Sequence, residues 1–172
     1  MAENPETLAV ALPDDVLARA DRVLDLAKAR KMSLATAESC TGGLLAALLT
    51  DVPGCGHLFD RGFVTYAEQA KCDMLGVDRG RLDRYGAVSR EIARDMAQGA
   101  LNHSNADIAV SITGFAGPGA PGDEEGLVHF ACGSRDGPVA DREEHFGPLG
   151  RAGVRKAALE AALEMLQEAL AQ

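Results

Sequence analysis

The stretch Met32–Val52, MSLATAESCTGGLLAALLTDV, holds three local structures in a row. Residues 32–39 carry small and β-branched side chains suited to a short buried strand. Cys40-Thr41-Gly42-Gly43 supplies turn residues. Leu44 to Val52 is apolar on a helical period and stops at Pro53-Gly54. A strand that passes through a tight turn into a helix is the unit from which layered α/β folds are built.

Outward from this unit the alternation continues. Towards the N-terminus, residues 14–30 place Val16, Leu17, Ala20, Val23, Leu24 and Ala27 at helical spacing. Asp14 and Asp15 suit the first turn of that helix, and Lys28, Arg30 and Lys31 suit its last. Towards the C-terminus, residues 57–67 read as a strand and 67–76 as a helix stopped by Gly76. Residues 78–86 form a short helix or turn. Residues 88–104 form a helix with Ser89 as its N-cap. The near-continuous apolar run 106–114 predicts a strand buried on both faces. A Gly/Pro-rich loop covers 114–126, two strands follow at 127–134 and about 139–146, and an Ala/Leu helix closes the chain at 151–171. The pattern predicts α/β architecture: one domain over residues 1–172, its core from about 15 to 171, in three layers (α/β/α) around a mixed sheet.

Composition narrows the function. The chain has 172 residues, 47% of them hydrophobic, so it can bury a substantial core. Seventeen basic residues against 26 acidic ones give a net charge of −9, which repels nucleic acid over most of the surface. No apolar run approaches a membrane span. The opening MAENPETLAVALPDD carries acid where an export signal carries base, so the expected location is the cytoplasm. Cys40, Cys55, Cys72 and Cys132 form no CxxC pair, and the four histidines form no HxH or HExxH. Reduced thiols and no metal are therefore expected. Asp123-Glu124-Glu125 reads as a solvated acidic loop.

Three clusters can carry chemistry. In Glu38-Ser39-Cys40-Thr41-Gly42-Gly43, a nucleophile at the strand–helix junction lies close to unpaired backbone amides and the positive end of a helix dipole. Ser39 is the candidate nucleophile and Cys40 its rival, while simple helix capping and a Gly-Gly turn are the plain structural alternative. In Thr65-Tyr66-Ala67-Glu68-Gln69-Ala70-Lys71, a lysine follows a strand end by a turn and a half of helix. Lysine serves as a base once desolvation lowers its pKa, and a neighbouring phenol can relay a proton or hold the geometry. A solvated helix charge is the plain alternative for Lys71. Third, Ser111-Ile112-Thr113-Gly114 runs into the glycine-rich loop, and such loops line ligand crevices in α/β sheets. Arg151 and Arg155, at the start of the last helix, are candidates to hold a phosphate.

These segments together resemble the CinA C-terminal domain family. The resemblance rests on Ala37 to Gly43, on Arg61-Gly62-Phe63-Val64-Thr65-Tyr66 followed by Lys71, on Gly86-Ala87-Val88-Ser89, and on Ser111 to Pro118. It runs from about residue 15 to the end. It implies a mixed-sheet α/β/α fold similar to anticodon-binding domains. For stand-alone members it also implies deamidation of nicotinamide mononucleotide to nicotinate mononucleotide and ammonia, without metal or cofactor.

Matched by motif, the resemblance makes Ser39 the nucleophile, with Tyr66 and Lys71 as its activating partners. Thr41, Gly42 and Gly43 become hydrogen-bond donors to the reacting carbonyl, and Thr113, Gly114 and Gly117 line the nucleotide crevice. The family's Phe-x-Gly-x-Arg-x-x-Val-Arg run corresponds here to Phe146–Arg155, one residue longer, which favours Arg155 over Arg151 as the phosphate ligand. The molybdopterin-binding-like domain of larger relatives, with its pyrophosphatase activity, is expected to be absent. The expected partners are a small nucleotide and, through the Ala/Leu-rich helices, a second copy of the chain; neither nucleic acid nor membrane is expected. Two competing readings remain: hydrolysis of another small amide, and a non-catalytic, competence-associated binding module.

Overall fold

A computed structural model describes residues 12–172. The reading of the N-terminal stretch as lacking an export signal falls mostly on residues 1–11, outside the described part. The element order is α1 (Asp14–Arg30), β1 (Leu34–Glu38), α2 (Leu44–Thr50), β2 (Phe59–Val64), α3 (Glu68–Leu75), α4 (Arg79–Tyr85), α5 (Arg90–Asn102), β3 (Ile108–Gly114), β4 (Leu127–Ser134), β5 (Val139–His145) and α6 (Gly150–Ala171).

The five strands form one mixed sheet in the order β2-β1-β3-β4-β5. β1 pairs in parallel with both β2 and β3, whereas β3–β4 and β4–β5 are antiparallel. Side chains alternate across the sheet, and each face carries its own helical layer. Leu34, Ile108, Val110, Ile112, Val128 and Phe130 pack with α1, α2 and α6 on one face. Ala35, Ala37 and Ala109 pack on the other with Leu75 of α3, Leu82 of α4, and Ile92 and Met96 of α5. The fold is therefore the three-layer mixed α/β arrangement expected from the alternation.

Local chemistry accounts for the boundaries. α1 begins after Pro13 and ends at Lys31, whose φ of 55° is left-handed. The Ser89 hydroxyl accepts a bond from the Ile92 amide at 3.3 Å, and Asp78 caps α4 through the Arg81 amide at 2.9 Å. Residues 78–86 thus resolve into a capped helix. The strand read over 57–67 is shorter than expected, because Tyr66 and Ala67 leave the sheet to start the turn into α3.

At the outer edge, β5 turns charged side chains to both layers. Asp141 meets Arg90 (2.7 Å) and Arg94 of α5, while Arg142 meets Glu164 (3.1 Å) and Glu168 (2.9 Å) of α6. The loop after β3 is pinched at its base. The Phe115 amide bonds to Leu127 O, that of Gly126 to Phe115 O, and that of Phe146 to Gly126 O. No helix among the described residues is long and apolar enough to cross a membrane.

Candidate active site

The carboxyl ends of the parallel strands β1 and β3 open into a crevice of about 310 Å³. Ser39, Cys40, Tyr66, Glu68 and Lys71 form one side, Ala87, Val88 and Thr113 the floor, and Gly114 to Gly119 with Arg151 the far wall. Ser39 follows directly on β1. Its amide bonds to Ile112 O of β3 (3.0 Å), and its carbonyl accepts from the Gly42 amide (3.0 Å). The candidate nucleophile is therefore held by backbone bonds at the ends of two central strands, and the residue is 8% exposed.

Lys71 is buried to 1% exposure. Its Nζ lies 3.1 Å from Ser39 Oγ and 2.6 Å from Thr65 O. Thr65 is in turn fixed by its amide to Glu38 O at 2.8 Å, so the three residues form one stitched unit. No carboxylate pairs with Lys71 among the described residues. Burial, the largest influence, therefore pushes its pKa below the ordinary lysine value, while the more distant Cys40 and Glu68 oppose that shift. An amine that sheds its proton readily, within hydrogen-bond reach of an alcohol, is equipped to act as a general base.

The rival nucleophile is poorly placed for reaction. Burial pushes the Cys40 thiol up to about 11, so it stays protonated at neutral pH. All four cysteines are free. No group of three or more His, Cys, Asp or Glu among the described residues is arranged to hold a metal ion.

Other expected site residues fall into two groups. Thr113, Gly114 and Gly117 line the crevice, and the Thr113 hydroxyl is tied to Ala87 O at 2.7 Å. Thr41, Gly42 and Gly43 do not line it. The Thr41 hydroxyl donates to Glu38 Oε2 (2.7 Å), as does the Gly43 amide (3.2 Å), and the Gly42 amide is bonded to Ser39 O. These groups are therefore engaged within the turn and α2, away from the crevice where the reacting carbonyl was expected to meet them. Among the described residues, the amide of Cys40 makes no hydrogen bond to another residue, and Cys40 faces the crevice.

Arg155 and Tyr66 also lie elsewhere than expected. Arg155 Nε donates to Cys40 O at 2.8 Å, and the same guanidinium lies 3.6 Å from where a Cβ on Gly42 would sit. It braces the nucleophile turn from behind. Arg151 is the arginine in the crevice, its guanidinium 3.4 Å from where a Cβ on Gly117 would sit. The two arginines share one face of α6 a turn apart, yet they reach different targets; the longer Phe146–Arg155 run pointed to Arg155 for the phosphate, whereas Arg151 is the one that lines the crevice. Tyr66 stands on the crevice rim, 63% exposed, with no hydrogen bond to Ser39 or Lys71. Residue-by-residue reading also gave Glu38 no role, although it accepts bonds from Thr41, Gly43, Leu45 and Ala46.

Comparison with known proteins places this geometry among relatives. The model of the CinA C-terminal domain matches residues 17–170. Nicotinamide-nucleotide amidohydrolase PncC of Enterobacter agglomerans is 44% identical over 145 residues, covering 83% of this chain and 86% of that protein. A CinA-like protein of Leptospira borgpetersenii is 42% identical over 143 residues, covering 82% of this chain but 34% of that protein. The chain thus spans about a third of the length of such curated relatives. The crystal structure of competence/damage inducible protein CihA from Agrobacterium tumefaciens superimposes with a TM-score of 0.88 at 46% identity, covering 94% of this chain and 98% of that one.

Proposed function

The chain belongs to the CinA C-terminal domain family, and from that premise we propose that it is a serine amidohydrolase deamidating nicotinamide mononucleotide to nicotinate mononucleotide and ammonia. The observation that carries this reading is Lys71 Nζ, buried and free of a carboxylate partner, 3.1 Å from Ser39 Oγ. The relative of similar length that is named for this activity supports the choice of substrate.

In the proposed reaction, neutral Lys71 takes the proton of Ser39 as Oγ bonds to the carboxamide carbon. The carbonyl oxygen becomes an oxyanion beside the Cys40 amide; one such preorganised donor lowers the barrier by about 3–4 kcal/mol. Protonated Lys71 then gives its proton to the departing nitrogen, the C–N bond breaks and ammonia leaves. Water, deprotonated by Lys71, adds to the acyl-serine ester; the bond to Oγ breaks, Lys71 returns the proton to Oγ, and the carboxylate leaves.

The positive pyridinium makes the carbonyl more electrophilic. The Tyr66 ring face and the Glu68 carboxylate on the near wall suit that positive charge. From the rim, Tyr66 serves ring binding; a proton relay would require its side chain to swing inward. Arg151 on the far wall suits the phosphate.

The test is ammonia release from nicotinamide mononucleotide by the purified protein. Turnover that disappears in Ser39→Ala, with the melting profile retained, is the expected result. Unchanged turnover in that variant removes Ser39 from the nucleophile role. Equal rates on amides lacking a phosphate favour a broader small-amide hydrolase.

A further inference from the structure

Glu38 is the only carboxylate fully withdrawn from solvent among the described residues, and no cationic side chain there pairs with it. Its Oε2 accepts from the Thr41 hydroxyl (2.7 Å), the Gly43 amide (3.2 Å) and the Leu45 amide (3.1 Å); its Oε1 accepts from the Ala46 amide (2.8 Å). A helix is ordinarily capped by the residue just before its first turn. In α2 that position is Gly43, left-handed at φ 92° and without a side chain. The capping group comes instead from five residues earlier, at the end of β1. Ser39 and Cys40 lie inside the loop that these bonds close.

We propose that Glu38 is a positioning residue for the nucleophile, clamping β1 to the tip of α2 across Ser39. A buried anion is costly without partners, and here four donors and the helix dipole supply the compensation. Only a carboxylate presents two acceptor oxygens to this cluster. Glutamine offers one, and its NH₂ would face a backbone donor. Because the clamp occupies the amides of Gly43, Leu45 and Ala46, these donors of the helix tip are not available to the substrate; the Cys40 amide, bonded to no other described residue, is left for the oxyanion. The backbone carbonyl of Glu38, separately from its carboxylate, holds the Thr65 amide, and Thr65 O in turn accepts from Lys71 Nζ, so residue 38 fixes both sides of the Ser39–Lys71 pair.

This inference rests on Ser39 being the nucleophile, but its test does not depend on the substrate being nicotinamide mononucleotide. An alkyl fluorophosphonate labels an activated serine, and the labelling rate at Ser39 reads its alignment directly. In Glu38→Gln, folded by circular dichroism, labelling is expected to slow at least tenfold. For ammonia release kcat should fall in parallel, with KM within twofold, because Glu38 does not line the crevice. Thr41→Ala removes one donor without touching the charge or the crevice wall; a smaller slowing, about threefold, is expected, and this variant decides the matter if Glu38→Gln does not fold.

Wild-type labelling rates in the folded variants overturn the clamp. A Ser39 that the probe leaves unlabelled in the natural chain also counts against it. Labelling slowed by Glu38→Gln in a protein that releases no ammonia from the nucleotide upholds the clamp and sinks only the substrate assignment.

Discussion

Lys71 is among the largest of the fully buried side chains in the described residues, and its burial makes stability depend on pH. In the unfolded chain it titrates at the ordinary 10.5; in the fold, burial lowers that value. Above the ordinary value both states are neutral at this residue. As pH falls below it, the unfolded chain takes up the proton first, so the folded state loses relative stability down to the lowered value. Lys71→Met removes that linkage. As pH rises towards the ordinary lysine value, melting of the natural protein should gain on that of Lys71→Met. A difference that stays flat with pH would mean that the folded lysine titrates normally. Ammonia release should fall roughly 10²–10⁴-fold in the variant, the usual worth of a general base. In the natural protein it should climb with pH through the lowered value. Ser39 and Lys71 were both identifiable as candidates from residue type and neighbours. Their contact was not, because 32 positions separate them and only the packing of α3 brings them together.

At the scale of elements, α3 must lie close to α5 for Lys71 to reach Ser39. Gly99 of α5 permits that approach: a Cβ there would collide with the Leu75 carbonyl and lie 2.9 Å from the Leu75 Cβ. Replacing a mid-helix glycine by alanine ordinarily stabilises a helix by about 0.5–1 kcal/mol. Here the sign should reverse, with Gly99→Ala costing about 1–3 kcal/mol through overpacking and lowering kcat as α3 shifts. Denaturant unfolding checks the first effect and ammonia release the second; a stabilised, fully active Gly99→Ala protein would show that the helices have room to spare.

The elements themselves were legible from periodicity and caps. α1, the helix after Ser89 and the doubly buried β3 fall where the pattern put them. Strand order was not legible, because β1 sits between β2 and β3 through pairings that join distant segments. The role of Glu38 was hidden for a related reason. A carboxylate beside a turn predicts a cap in general, but not which amides it will collect.

Across the whole molecule, the chain returns to its own beginning. α6 carries Arg155 back to the carbonyl of Cys40, 115 positions earlier, and presents Arg151 to the crevice. The two arginines should therefore fail differently. Arg151→Ala is expected to raise KM for the nucleotide about tenfold or more, as losing a charge-assisted contact would, with kcat little changed. Arg155→Ala should lower thermal stability and kcat and leave KM nearly unaltered. Steady-state kinetics and melting of the two proteins side by side check this; the opposite assignment would put Arg155 on the phosphate after all.

The pinched base of the loop between β3 and β4 has a practical consequence. Its ends are fastened by backbone amides and carbonyls, and at Gly126 only glycine fits: its φ is 88° and a Cβ would collide with the Gly147 carbonyl. Exchanging the body in between, with Gly126 kept, is expected to alter which molecules are admitted while leaving Ser39 and Lys71 in contact.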